Sequence, residues 1–382
     1  MRKSKLPRVT TIYRKPKIMV FVHTMETGGL QCMLLNTLKY LKDDFDFYLV
    51  VFKKVNSLLE KECKNYVKNF FVLNENVFSL KLNDKCVEKI QNLIEEVSPD
   101  LIESHLFFID LQIREAAKKS NFKNIIIYQH GFGNGWDKNM QNLELKYLAY
   151  TRRYICVSDW NKKTLITVGI SEDRITVIYN GIDKQLFELN DHISKEFSSN
   201  LFQIGFIGRI EPSKNPLLLP KIVKRLIKTF RLKNFKFHIV GKGSLERLLK
   251  DRIKSKSLQK YFEFHGEIPY YKITEIYRRI HLLLLTSQNE SLPNVIIEAL
   301  VNEIPVIAPS IGGISEVIED ETTGFLITST DKYAEAISNL IRYPSIYNRV
   351  VESIKKHKER YYEKFSMEKY VNKRREIWMK CM

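Results

Sequence analysis

The chain has 382 residues, 44% of them hydrophobic, and a formal net charge of +18, which describes a folded protein too long for one ordinary core. No apolar run approaches the length needed to cross a bilayer. Five cysteines (Cys32, Cys63, Cys86, Cys156 and Cys381), odd in number and without a CxxC spacing, argue against a disulfide frame or zinc knuckle and for reduced thiols in a cytosolic setting.

In chain order, the first 17 residues carry seven basic side chains and no acid, but no apolar segment follows, so they are not a secretory signal. Strand Lys17–Val22 leads into Gly28-Gly29 and a helical pattern from Leu30 to Leu41. Asp44-Phe45-Asp46 reads as a polar turn before strand Phe47–Phe52. Buried runs follow near Leu101-Ile102 and Ile125–Tyr128, trailed by His105 and His130 respectively. A lone histidine at a strand end is more often structural than catalytic, and neither spacing suggests a metal site. The polar stretch Phe187–Asn200 reads as a linker. The pattern then restarts at Phe202–Ile207 and continues through Phe237–Val240, Leu282–Leu285 and Pro305–Ala308, while Ser366–Met379 is helical and basic. Between these strands, Lys221–Arg231 sets cations around apolar residues at helical spacing, as on the solvated face of a packed helix. Alternating strand and helix signals predict parallel α/β sheets covered on both faces. The domains are predicted at 16–190 and 200–365, with a terminal helix at 366–382 able to return to the first domain.

Four stretches of the second half follow predicted strands and should converge on one sheet edge. They are Gly208–Lys214 with Arg209 and Lys214, Gly241-Lys242-Gly243, Glu290–Glu298, and Ile311–Glu316. Taken singly, each is an ordinary strand-to-helix turn; together they resemble an anion site, with Arg209 and Lys214 as cations and glycines that admit backbone amides. A helix starting near Pro293 leaves Glu290 in the loop and projects Glu298 from the second turn, so the two acids bracket a helix N-terminus suited to phosphate. That arrangement suits a nucleotide-sugar.

The ordered set resembles the retaining glycosyltransferases of the GT-B fold, family 4 (glycosyl transferases group 1), in which two Rossmann-like domains face each other across a cleft. The resemblance is carried by Gly208-Arg209…Lys214, Gly241-x-Gly243, Glu290-x7-Glu298 and Pro305–Ala308…Gly312-Gly313…Glu316…Gly324. It is looser in the first half, through Gly28-Gly29, Ile127–Gly131, Cys156-Val157-Ser158 and Asn180–Asp183, and Gln31 stands where family members often carry an acid. It implies that Arg209 and Lys214 hold the donor diphosphate and that Glu298 accepts from the ribose hydroxyls. Glu290 would lie near the transferred sugar, and the segment Leu292, Pro293, Asn294, Val295 would turn its amides to the phosphates. His130 would sit beside the anomeric carbon, and Gly28 and Gly29 would form the opposite wall.

The expected activity is metal-independent transfer from a nucleotide-diphosphate-sugar, UDP ranked ahead of GDP, with no further cofactor. The acceptor would be a glycan or lipid-linked molecule of bacterial cell-surface polysaccharide (lipopolysaccharide, O-antigen or capsule). Its surface would lie in the first half, including Trp136–Arg153. The basic surplus fits a cytoplasmic enzyme peripheral to an anionic membrane face better than a nucleic-acid binder, since no base-reading motif is present. Asp44-Phe45-Asp46 does match the metal motif of the other glycosyltransferase fold but is remote from the second-half motifs. The alternatives are a nucleotide-sugar epimerase or phosphorylase of the same fold, or a non-catalytic basic binding protein.

Overall fold

A computed structural model describes residues 14–26, 28–131, 136–187, 201–269 and 272–382. Most of the basic N-terminal arm and of the predicted Phe187–Asn200 linker lies outside them. The first sheet holds β1 (Lys17–Val22), β2 (Asp46–Val51), β3 (Asn69–Val72), β4 (Leu101–Ser104), β5 (Ile125–Gln129), β6 (Arg153–Cys156) and β7 (Ile175–Val177). The second holds β8 (Phe202–Ile207), β9 (Phe235–Val240), β10 (Phe262–Gly266), β11 (Leu282–Leu284), β12 (Val306–Pro309) and β13 (Gly324–Ile327). Every pairing is parallel, in the orders β3-β2-β1-β4-β5-β6-β7 and β10-β9-β8-β11-β12-β13. Strands made almost wholly of Ile, Val, Leu and Phe are buried on both faces, as sheets sandwiched between helices require.

Each order reverses once, between β1 and β4 and between β8 and β11, and ligands of open α/β sheets bind where loops diverge at such points. Gly28-Gly29 follows β1 and His105 follows β4; Arg209–Lys214 follows β8 and Glu290 follows β11. The four second-half stretches leave strands β9, β8, β11 and β12, which are adjacent in that sheet.

The helix Leu219–Lys228 buries Leu219, Ile222, Val223 and Leu226 and exposes Lys221, Lys224, Arg225 and Lys228, so its cations are a solvated face. Asp44-Phe45-Asp46 is structural: Phe45 packs edge-on to Trp378, Asp44 accepts from Arg375 at 3.1 Å and Asp46 pairs with Lys68. The helix Met367–Cys381 lies on the first domain, where Arg374 donates to Thr37 Oγ1 at 2.7 Å and also binds the Glu103 carboxylate. Asn180–Asp183 meets the crossing chain, with Ile182 N donating to Phe365 O and Met367 N to Ile182 O.

Candidate active site

The second domain contributes a loop cluster held by its own polar contacts. Ile210 N donates to Lys242 O at 2.8 Å, and Glu211 accepts from Ser244 N and Ser244 Oγ, which ties the Arg209–Lys214 loop to Gly241 and Gly243. Thr286 Oγ1 donates to Lys214 O at 2.8 Å and Gln288 N to Ser213 O at 2.8 Å, which joins the loop after β11. Arg209 is exposed, and Lys214 Nζ donates to Glu290 Oε1, which also accepts from Ser287 Oγ at 2.7 Å. The sequence assigned Lys214 and Glu290 to different parts of a donor; the fold makes them an ion pair.

The helix Asn294–Val301 starts after Pro293, whose backbone is extended. As the first two helical residues, Asn294 and Val295 have amides without an intrahelical acceptor, and the positive end of the helix favours an anion there. Glu298, one turn further on, is buried, and Tyr277 Oη donates to it at 2.6 Å. Burial pushes its carboxyl up to about 7, with the Tyr277 hydroxyl opposing the shift. Neither Tyr277 nor Ser287 stood out in the sequence, because their partners are 21 and 3 residues away with no motif linking them.

The first domain closes against this cluster. A Cβ on Gly29 would lie 3.4 Å from Asn294 Nδ2, so the glycine pair forms the opposite wall at the helix N-terminus. Gly131, in the left-handed region at φ +103°, is pressed against Ser291: a Cβ there would come within 1.5 Å of Ser291 Oγ. Asn180 Nδ2 donates to Leu292 O at 3.3 Å and to Asn294 Oδ1 at 2.7 Å. Glu316 reaches across to cap the helix Asp159–Val168, accepting from Asp159 N at 2.9 Å and Trp160 N at 2.7 Å. The Cys156, Asn180 and Glu316 motifs thus lie at the junction of the domains.

His130 ends a buried chain of hydrogen bonds. Glu103 accepts from Arg374, from Trp378 Nε1 at 2.9 Å and from His105 Nε2 at 2.7 Å, and His105 Nδ1 lies 2.9 Å from His130 Nε2. Burial works to raise the Glu103 carboxyl, but the Arg374 guanidinium and His105 outweigh it and hold it down to about 2. Burial lowers both histidines, so both are neutral at physiological pH. A carboxylate only accepts, so His105 carries its proton on Nε2 and offers a lone pair at Nδ1. His130 therefore donates from Nε2 and keeps a bare Nδ1.

Within the segment Trp136–Arg153, Trp136 packs against Phe107, Glu144 is buried against Arg114 at 2.8 Å and Tyr147 is buried, while Asp137, Lys138, Asn139, Asn142, Leu145, Lys146, Ala149 and Arg152 are exposed. His23, Phe52, Lys53, Asn74 and Phe78 help line a cavity of 360 Å³ beyond the ends of β1, β2 and β3. No sequence signal marked it, since its residues come from three separate loops.

Two parallel sheets that turn their switch points toward one cleft define a GT-B architecture. The chain belongs to the glycosyltransferases of that fold: residues 27–186 match Glycosyltransferase Family 4 and residues 189–357 match Glycosyl transferases group 1. It is 24% identical over 366 residues to an uncharacterized glycosyltransferase of Methanocaldococcus jannaschii, covering 92% of this chain and 94% of that one. It is 27% identical over 324 residues to the Escherichia coli UDP-Gal:alpha-D-GlcNAc-diphosphoundecaprenol alpha-1,3-galactosyltransferase, covering 80% and 82%. The crystal structure of Anabaena HepE in complex with UDP and glucose superposes with a TM-score of 0.78 at 18% identity, over 96% of this chain and 100% of that one. These relatives support a glycosyltransferase role.

Proposed function

We propose that this glycosyltransferase moves a sugar with retention from a nucleotide-diphosphate-sugar, UDP ahead of GDP, to a glycan or lipid-linked acceptor of bacterial cell-surface polysaccharide. The observation that carries the reading is the meeting of the Asn294 helix N-terminus and the buried Glu298 with Gly29 and the His130–Gly131 turn across one cleft. The E. coli relative is named for a UDP-galactose donor and a diphosphoundecaprenol-linked acceptor, and the HepE crystals hold UDP and glucose, which favours this donor and acceptor class.

In this mechanism Arg209 and the amides of Ser291, Leu292, Asn294 and Val295 receive the diphosphate. Lys214 turns from Glu290 toward it, which leaves the Glu290 carboxylate facing the sugar. Glu298 accepts from the ribose, and Gly241 and Gly243 admit the nucleotide. As the bond from C1 to the phosphate oxygen breaks, negative charge on the leaving group meets these cations and amides, and no metal is required. The acceptor oxygen bonds C1 on the same face, and its proton passes to the departing phosphate. The neutral His130 accepts a hydrogen bond at Nδ1 beside C1, and the cavity beyond β1–β3 lies on the acceptor side.

Thermal stabilisation by UDP, GDP, ADP, dTDP and CMP tests the donor assignment. At a hundred times Kd the bound nucleotide adds about 2.7 kcal/mol to the native state. Stabilisation by UDP that disappears in Glu298→Ala is the expected result; silence with all five nucleotides contradicts it.

We also place the enzyme at the inner face of the cell membrane, held by its surplus charge at about 1 kcal/mol per well-placed Lys or Arg. No helix among the described residues is long and apolar enough to cross a membrane. Binding to anionic vesicles should fall steeply with salt, whereas equal binding to neutral vesicles rejects this electrostatic docking.

A further inference from the structure

At the outer edge of the second sheet, three ligand-bearing side chains converge away from the cleft. His238 lies on β9, and Glu263 and His265 lie on the neighbouring edge strand β10. His238 Nδ1 is 2.9 Å from His265 Nε2 and 3.9 Å from Glu263 Oε2, and His265 Nε2 is 3.7 Å from Glu263 Oε1. We propose that His238, Glu263 and His265 form a binding site for a divalent transition ion of the zinc class, completed by water, that clips β10 to β9.

The ligand set and its spacing match that chemistry. Bonds of 2.0–2.2 Å in a tetrahedral shell put ligand atoms about 3.3 Å apart. The two imidazole nitrogens lie 2.9 Å apart and each nears a different Glu263 oxygen, at 3.9 and 3.7 Å, so a rotation of the carboxylate completes the set. Two imidazoles and one carboxylate are borderline donors suited to zinc, cobalt or nickel rather than magnesium or calcium. Gln203 on β8 supplies the outer support: its Oε1 lies 2.8 Å from His238 Nε2, which fixes that proton and turns the Nδ1 lone pair inward. His265 needs only to carry its proton on Nδ1 for Nε2 to bind the ion.

The backbone is shaped for the same result. The register of β10 on β9 shifts between Phe264 and Gly266, a bulge at His265, and Gly266 takes φ +67°. Bulges re-aim a side chain at the cost of a regular ladder. Gln203, His238 and His265 thus run as a polar row across three adjacent strands, and His238 is buried at 1% exposure. An apolar row would stabilise a sheet face at less risk, since a partly satisfied buried polar network is costly.

Two cations compete for the carboxylate: Arg279 Nη1 lies 3.3 Å from Glu263 Oε1 and Lys236 Nζ 3.5 Å from Oε2. They set a modest affinity and give the proposal its distinctive test. Gly266 O also accepts from Gly241 N at 2.7 Å, so the clip lies one residue from the strand end that supports the Gly241–Gly243 loop.

The test uses tag-free, full-length protein stripped with a chelator and titrated calorimetrically with Zn²⁺ at pH 7.5, with Co²⁺ as the spectroscopic probe. One equivalent should bind, with visible bands of a nitrogen–oxygen site and no thiolate charge transfer. His265→Ala should weaken binding by about 10–100-fold or more. Arg279→Ala, which removes a cation competing for the Glu263 carboxylate and leaves all three proposed ligands in place, should tighten it several-fold. Both side chains are partly exposed, so these variants remain informative if His238→Ala fails to fold. No binding at 100 μM-order metal (~10⁻⁴ M, far weaker than structural zinc sites), unchanged affinity in His265→Ala, or a cobalt–thiolate spectrum would each overturn the site.

Discussion

His130→Ala should abolish most sugar transfer, by about 10²–10³ in turnover, while donor-induced thermal stabilisation stays within experimental error of wild type. The ring ends the Glu103–His105–His130 chain and its neighbouring Gly131 abuts Ser291, and in the proposed mechanism it faces the transferred sugar rather than the base or ribose. The chain further fixes which nitrogen works. With Nε2–H committed to His105, the group presented to the substrate is the Nδ1 lone pair, an acceptor. An Asn side chain sets its amide near the place of Nδ1, and Gln sets its amide near Nε2. His130→Asn should therefore retain at least about tenfold more activity than His130→Gln, a difference of about 1.4 kcal/mol in barrier height. Equal activities, or wild-type turnover in the Ala variant, reject the assignment. Direct mutation of Glu103 is a poorer probe, because it leaves the Arg374 guanidinium buried without its counter-charge, at a cost of about 3–5 kcal/mol.

Glu298→Ala should weaken nucleotide binding by about 10²–10⁴ at pH 8. Two charge-assisted bonds to ribose hydroxyls contribute about 1.5–3 kcal/mol each, and each 1.4 kcal/mol is tenfold in Kd. The effect carries a pH signature. Free Glu298 titrates at about 7 because burial penalises its charged form, whereas ribose hydroxyls need the carboxylate. Below pH 7 a proton must be lost for the donor to bind, so wild-type affinity should fall about tenfold per pH unit and the gap to the Ala variant should narrow. Titrating binding from pH 5.5 to 8.5 reads this directly, and a flat wild-type profile contradicts the carboxylate's role. The folded pKa lies above the unfolded value, so Glu298 contributes stability that is fully present below about 4.5 and lost as pH rises through 7. At pH 8 the charged Glu298 therefore strains the unliganded protein, and removing it offsets part of the cavity left behind. An unliganded melting temperature near that of wild type separates lost binding from lost folding.

Much of the architecture was legible because central strands announce themselves. Lys17–Val22 and Phe202–Ile207 are strands with the limits their apolar runs gave, and Ile125–Tyr128 lacked only Gln129. The strands without a predicted counterpart are short or weakly apolar: β3 begins with an exposed Asn69, β6 with Arg153, β7 has three residues, β10 carries Glu263 and His265 on its partly exposed residues, and β13 begins with Gly324. Four apolar runs precede His130 in the sequence, whereas β3 makes the strand before it the fifth. The Asn294 helix start was equally readable, since Pro293 cannot continue a helix backward and an apolar run follows.

What the sequence by itself determined was therefore local: which segments become strands, where glycines follow them, and which acids and cations stand near strand ends. These depend on side-chain periodicity and backbone freedom within a few residues. Only the tertiary structure decided the pairings. Lys214 met Glu290 across 76 residues, Arg374 met Glu103 across 271, and Asp159 met Glu316 across 157. A charged side chain in sequence shows that a partner is needed but not which one, because the choice follows from strand order and from the burial that makes an unpaired charge costly. The same burial turned Tyr277 toward Glu298 and committed one nitrogen of His130, so the chemistry of both residues was set by neighbours that no spacing could name.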